Sequence, residues 1–241
     1  MLAAVLVSAI ASMAVYAAKG GARDQDALRK GSQLLLGALD FLVHWFLWAI
    51  GPAERGFLRL GATPDHFNLA GLLLGLASGL LFASGRLELG GWAIALAGVC
   101  DILDGRIARV LKRTSPYGKF IDSTFDRFVE TFALVGLAWH LRITPFGAVL
   151  AAAALGASSL VSYAQARGET VGISGSGGLL QRAERLVLTS LACLIDRPLT
   201  RALGFAEDSV VMAMLSIVAT GAFATAIHRT VWIARRLKQR E

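Results

Sequence analysis

The stretch GGWAIALAGVCDILDGRIARVLKRTSPYGKFIDSTFDRFVETFALVGLAWHL, residues 90–141, holds two apolar runs joined by a basic turn. The runs cover about 90–110 and 119–141, each near the ~20 residues that an α-helix needs to cross a bilayer. Asp101 and Asp104 are three apart and share a face of the first helix. Asp122 and Asp126 are four apart and share a face of the second. One Asp at mid-membrane costs about 2.5–3.5 kcal/mol on insertion scales. These four lie toward the basic turn, which lowers the cost of each, yet four facing anions would still repel. Something positive must sit between them. Hard oxygen ligands from two facing helices suit Mg²⁺, Mn²⁺ or Ca²⁺. Ion pairs with Arg106, Arg109, Arg127 or Lys119 would be a purely structural answer, and a cation or proton transport pathway would also use such acids.

The rest of the chain agrees with a membrane setting. Of 241 residues, 55% are hydrophobic and only 17% charged, against about 25% charged in a soluble domain. Mean hydropathy is +0.59. Disorder is excluded by this composition. Cys100 and Cys193 both lie in apolar runs and read as buried thiols, not as a disulfide scaffold. The chain reads as an all-α integral membrane protein with eight apolar segments. Six form a core at about 67–85, 90–110, 119–141, 145–166, 180–196 and 209–228. Two precede it. Leu2 to Ala18 is an extra N-terminal apolar helix, followed by Lys19, Arg23, Arg29 and Lys30; with no basic residue before it, it does not read as a cleaved signal peptide. Gln33 to Ile50, with Asp40, His44, Trp45 and Trp48, reads as an interfacial amphipathic helix ended by Gly51 and Pro52. The stretch Gly175 to Gly178 reads as a flexible connector.

Orientation follows from the positive-inside rule. If the six-helix core starts in the cytoplasm, its inner loops hold Arg55, Arg59, Arg106, Arg109, Lys112, Arg113, Lys119, Arg167, Arg182, Arg185, Arg229, Arg235, Arg236, Lys238 and Arg240. The outer loops hold only Arg86, Arg142, Arg197 and Arg201. This asymmetry predicts a multi-pass protein of the cell membrane with the acids at its cytoplasmic side. A net charge of +7 then reflects inner loops, not nucleic-acid binding.

Asp101, Asp104, Gly105, Ala108, Arg109, Gly118, Asp122 and Asp126 fit, at every spacing, D-x-x-D-G-x-x-A-R-(eight residues)-G-x-x-x-D-x-x-x-D. This resembles the signature of the CDP-alcohol phosphotransferases, also called CDP-alcohol phosphatidyltransferases. Arg55 to Asp65 looks like the family's entry into its first core helix. Ser162 to Glu169, Gly177-Gly178 and Arg182 to Leu186 are similar to its bacterial phosphatidylinositol phosphate synthase branch. The resemblance runs from about residue 54 to 230. It divides the chain into an apolar helix and basic linker at 1–32, the interfacial helix at 33–53, the six-helix domain at 54–232 and a basic tail at 233–241.

The resemblance implies a homodimer in the bilayer, two divalent ions per site (Mg²⁺, with Mn²⁺ second), and transfer of a phosphatidyl-type group from a CDP-alcohol to an acceptor hydroxyl with release of CMP. CDP-diacylglycerol is the first choice of donor. Metal ligation carries over to Asp101, Asp104, Asp122 and Asp126, and the general base to Asp126. Nucleotide contacts carry over to Asp65, His66, Phe67, Asn68, Gly105, Arg109 and Ser115, with Ala108 and Gly118 as close-approach positions. Acceptor binding carries over to Arg167, Arg182 and Arg185, with inositol phosphate favoured over glycerol phosphate. The branch has a lysine where Gln165 stands and often a threonine where Asn68 stands; the first departure weakens the case for a phosphorylated acceptor. Metal ions neutralise a diphosphate leaving group, and a carboxylate within about 3 Å can take the acceptor's proton. Nucleotide binding needs Gly105, Ala108, Arg109 and Gly118; transport does not.

Overall fold

The structure is a computed structural model that describes residues 2–21, 40–174, 177–178 and 180–240. All regular structure among the described residues is helical. Internal packing divides the chain into two units, residues 1–63 and 64–241.

The first unit holds α1 (Leu2–Ala18) and α2 (Asp40–Arg59). Buried Tyr16 of α1 packs against Phe41 and Trp48 of α2, with ring centroids 5.5 Å away in each case. Trp45 Nε1 donates to Ser12 Oγ at 2.9 Å, and Lys19 Nζ lies 5.7 Å from the centre of the Trp48 ring. The indoles predicted to lie at an interface therefore also join the two helices. Residues 33–39 and the basic positions Arg23, Arg29 and Lys30 lie outside the described residues. Gly51 and Pro52 do not end α2, which runs on to Arg59. Proline forfeits one backbone bond, and Ala53, Glu54 and Arg55 behind it are tolerant of or favourable to helix. The helix stops instead at Gly61, whose φ of +73° supports a C-terminal cap in which Ala62 N–H bonds the Phe57 carbonyl at 3.0 Å.

Among the described residues the second unit holds six α-helices: α3 (Pro64–Ala83), α4 (Leu87–Val110), α5 (Pro116–His140), α6 (Gly147–Thr170), α7 (Arg182–Leu203) and α8 (Ser209–Lys238). A single 3₁₀ turn, Leu141–Ile143, follows α5. Helices α3, α6 and α8 are long and apolar enough to cross a membrane. Helix α3 packs on α4 and α5, α4 on α7, α5 on α6, and both α6 and α7 on α8. Phe82, Leu87, Leu137, Leu141, Val211 and Leu215 form the middle of the core. Leu73, Leu76 and Leu80 of α3 and Ile217 and Ile227 of α8 are apolar and exposed, as befits faces turned to lipid. Cys100 and Cys193 are free thiols, half-buried and buried.

Small residues set how closely α3 and α5 approach. A Cβ on Gly136 would overlap the Gly79 backbone, and one on Gly79 would overlap the Phe132 carbonyl. Backbone therefore rests on backbone, as in many bilayer helix pairs. This contact fixes the height of α5, and with it the height of Asp122 and Asp126, against α3.

In the second unit α6 runs past its predicted end at 166 to Thr170, and α7 and α8 run further still past theirs. Helix α7 continues from 196 to Leu203 because Asp196 points inward and is satisfied there. Its carboxylate accepts from the backbone N–H of Asp208, Val210 and Val211 at 3.2, 3.0 and 3.2 Å, capping α8 from a neighbouring helix. Helix α8 continues from 228 to Lys238, because arginine and lysine propagate helix and favour its C-terminal end. At the Asp196 end, Arg197 Nη2 donates to the Gly85 carbonyl at 2.9 Å, and His140 Nε2 lies 3.0 Å from Asp208 Oδ1. Arg86, Arg142, Arg197 and Arg201 belong to this end, the end with few basic residues. The four acids belong to the other.

Candidate active site

The site is built where α4 ends and α5 begins. Lys112 takes a φ of +53°, and Arg113 N–H bonds the Ala108 carbonyl at 2.9 Å, closing α4. Ser115 then caps α5, its Oγ accepting from Gly118 N–H at 3.0 Å with Pro116 at the first helical position. The reversal sets the last turns of α4 beside the first turns of α5. Asp101, Asp122 and Asp126 each offer an oxygen, all within 4.8 Å of one another. Three carboxylates at that spacing fit one hard divalent cation. Asp104 is not part of this triad. It is buried, and it lines a cleft together with Phe67, Asn68, Asp101, Phe125 and Asp126.

Of the residues expected around the nucleotide, Phe67 and Asn68 line that cleft, and Asn68 Nδ2 reaches back to the Pro64 carbonyl at 3.4 Å. Asp65 and His66, which directly precede them on α3, are exposed. Gly105, Ala108 and Arg109 continue the α4 face, and the Arg109 guanidinium folds back over Gly105, 3.3 Å from where a Cβ would lie. Ser115 and Gly118 sit at the start of α5, where Ser115 also serves as the helix cap.

The three arginines expected at the acceptor occupy three different environments. Arg167 is exposed near the end of α6. Arg182, the first residue of α7, enters the acids: its Nη1 lies 3.0 Å from Asp101 Oδ1 and its Nη2 2.6 Å from Asp126 Oδ1. The ion pair weighed as the structural answer to the four acids therefore exists, but through Arg182. Arg127 is a weaker partner, 3.8 Å from Asp126 Oδ2 and donating to the Ser123 carbonyl at 2.5 Å. Arg185 is 2% exposed, and a loop arginine on the surface is not what the structure contains. Its Nε and Nη2 hold the Glu130 carboxylate at 2.7 and 3.0 Å, and its Nη1 donates to the Leu180 carbonyl at 3.1 Å. The reason is spacing: Arg182 and Arg185, three apart at the start of a helix, meet Asp126 and Glu130, four apart on α5.

Two further charged residues join the site, Glu130 and Arg229. Glu130 continues the i, i+4 series Asp122, Asp126, which is its signal in the sequence. Arg229 reads in sequence as an inner-loop charge, yet it is 4% exposed within α8. Its Nη1 donates to Gln165 Oε1 at 2.8 Å and to the Val161 carbonyl at 3.2 Å, and its Nε to the Gly177 carbonyl at 3.5 Å. Leu180 N–H bonds Thr225 Oγ1 at 3.1 Å. The described part of the glycine stretch, Gly177-Gly178, is thus tied to α8 and is no loose connector; Gly175 and Ser176 lie outside the described residues.

Residues 62–232 match the CDP-alcohol phosphatidyltransferase family. The chain is 32% identical over 195 residues to archaetidylinositol phosphate synthase of Methanothermobacter thermautotrophicus, covering 78% of this chain and 93% of that one. It is 34% identical over 197 residues to phosphatidylinositol phosphate synthase of Streptomyces avermitilis, covering 79% and 80%. Crystal structures of Mycobacterium tuberculosis phosphatidylinositol phosphate synthase superpose with a TM-score of 0.65 at 28% identity. The one with CDP-DAG bound covers 76% of this chain and 92% of that one; the one with manganese and citrate covers 75% and 88%. A helical membrane fold, a carboxylate cluster able to take a divalent cation and a match over most of the chain agree: this protein belongs to the CDP-alcohol phosphatidyltransferases and is a transferase of phospholipid synthesis.

Proposed function

We propose that the chain transfers the phosphatidyl group of CDP-diacylglycerol to a hydroxyl of inositol phosphate and releases CMP. The observation that carries this reading is the cluster of Asp101, Asp122 and Asp126 opening on the cleft of Phe67, Asn68 and Asp104. The names of the relatives, archaetidylinositol phosphate synthase and phosphatidylinositol phosphate synthase, support the acceptor.

In this reading Asp101, Asp104, Asp122 and Asp126 hold two divalent ions, Mg²⁺ or Mn²⁺. Bound metal supplies neutralisation of the diphosphate as the leaving group departs. Asp126 takes the acceptor's hydroxyl proton. The freed oxygen bonds the phosphorus that carries the diacylglycerol, and the bond from that phosphorus to the oxygen of CMP breaks. Gly105, Ala108 and Gly118 let the nucleotide approach backbone, with Asp65, His66, Phe67, Asn68, Arg109 and Ser115 around it. The acceptor's phosphate is assigned to Arg185 and Arg229: Arg185 bonds the Leu180 carbonyl and Arg229 the Gly177 carbonyl, Glu130 offsets only Arg185, and Gln165 and backbone carbonyls bring Arg229 no opposite charge. Arg167 and Arg182 complete the cationic rim. Arg229 thereby answers the missing lysine at Gln165.

The same reading makes α3 to α8 six spans of a multi-pass protein of the cell membrane with its site on the cytoplasmic side, acting as a homodimer. The segments 1–32 and 33–53 precede the six-helix domain at 54–232, and 233–241 follow as a basic tail. The deciding experiment supplies purified protein with CDP-diacylglycerol and, in turn, inositol phosphate, glycerol phosphate and unphosphorylated inositol. CMP and a phosphorylated inositol lipid are expected from the first alone; a preference for an uncharged acceptor overturns the assignment.

A further inference from the structure

Two ion pairs join α5 and α7 at successive turns. Arg182 meets Asp126 among the acids; one turn deeper, Arg185 meets Glu130. The deeper pair has fork-to-fork geometry, with Nε and Nη2 on the two oxygens of one carboxylate. Such a pair fixes the plane and direction of a guanidinium as well as its charge. The third bond runs from Nη1 to the Leu180 carbonyl at 3.1 Å, and Arg229 Nε donates to the carbonyl of Gly177 at 3.5 Å, so both guanidiniums bond backbone just ahead of α7. These bonds leave part of the Arg185 donor set for another partner. Glu130, Arg182 and Arg185 also line one small pocket with Ile94, Leu134 and Thr189. Arg182 lines the acid cleft as well, so the two spaces adjoin at its side chain.

We propose that Glu130 is a positioning residue for the acceptor. It touches neither nucleotide nor metal in this scheme. Its carboxylate sets the direction in which Arg185 presents its remaining donors to the acceptor's phosphate, and it keeps Arg185 from turning toward Asp126 and competing there with Arg182. The inference rests on the acceptor reading proposed above. A pair serving structure alone would be indifferent to which substrate is varied.

The test uses the whole 241-residue chain in mixed micelles with CDP-diacylglycerol and inositol phosphate, varying each in turn. Glu130→Gln keeps the shape and removes the charge. It is expected to raise the acceptor KM at least 10-fold while the CDP-diacylglycerol KM stays within 2-fold. Glu130→Asp, shorter but charged, is expected to recover part of the loss. An unchanged acceptor KM in Glu130→Gln, or equal rises in both KM values, overturns the proposal. If Glu130→Gln does not fold, Glu130→Asp decides alone: an acceptor-specific rise supports the role and none rejects it. Arg229→Gln run in parallel separates the two layers. If it and Glu130→Gln both leave the acceptor KM unchanged, the phosphate pocket itself is wrong. If only Arg229→Gln raises it, the pocket stands and the role of Glu130 falls.

Discussion

The Arg182 guanidinium is 2.6 Å from the Asp126 carboxylate, and its other terminal nitrogen is 3.0 Å from Asp101. One cation from the first residue of α7 thus spans both acid-bearing helices. Removing it should expose the cost of gathering those acids. Arg182→Leu is expected to lower stability by about 3–5 kcal/mol, the usual loss when one partner of a largely buried pair is removed. A divalent cation should recover much of this by replacing the missing charge. Thermal unfolding in detergent with and without Mn²⁺ checks it; a loss that Mn²⁺ leaves untouched would show that the acids were not the source.

Asp126 is held by Arg182 and lies in chelating range of Asp101 and Asp122. Asp126→Asn preserves its size and removes its basicity. Turnover should fall by about 100-fold or more, in the range of a lost general base, while CDP-diacylglycerol binding changes little. CMP release and labelled-donor binding on the same preparation separate these effects, and wild-type turnover would remove Asp126 from the mechanism.

Three carboxylate oxygens within 4.8 Å of one another make a poor arrangement without divalent charge and a good one with it. Excess chelator should abolish CMP release, and Mg²⁺ or Mn²⁺ should restore it. Full activity in chelator contradicts the metal assignment.

Arg229 is buried with Gln165 and two backbone carbonyls as its partners. A charge-assisted bond to phosphate is worth about 1.5–3 kcal/mol. Arg229→Gln should therefore raise the acceptor KM roughly 10- to 150-fold with little change for the donor. Gln165→Lys should preserve or improve acceptor binding. Arg185→Ala is a poorer probe than the sequence suggests, because it also strands the Glu130 carboxylate.

Gly136 and Gly79 bring α5 and α3 into backbone contact. Gly136→Leu should cost about 1–3 kcal/mol or more as overpacking, and it should reduce activity by raising or tilting the acids of α5. Unfolding midpoint and CMP release should fall together; an unaltered midpoint would mean that the helices do not meet there.

The acids, the helices that carry them and the family were legible in the linear chain. Membrane-length apolar runs are local, and the spacing from Asp101 to Asp126 lies within one helix–turn–helix, so both survive without knowledge of any distant contact. Several helix ends were not legible. Pro52 and Asp196 look like terminators, yet helix continues past both, in the latter case because Asp196 finds the start of α8 twelve to fifteen residues later and is satisfied by its N–H groups. The partners of the arginines were least legible of all. Arg167, Arg182 and Arg185 share a charge and a loop in sequence, but α7 packs on α4 and α8, and the long side chains of its first turn reach across to α5. That placement sends Arg182 to Asp101 and Asp126, buries Arg185 on Glu130, and leaves Arg167 exposed. Arg229 reaches the same region from α8, more than forty residues away along the chain from Arg185. Charge type is a property of the residue; which charges meet depends on helix packing across the bundle, and no local spacing encodes it.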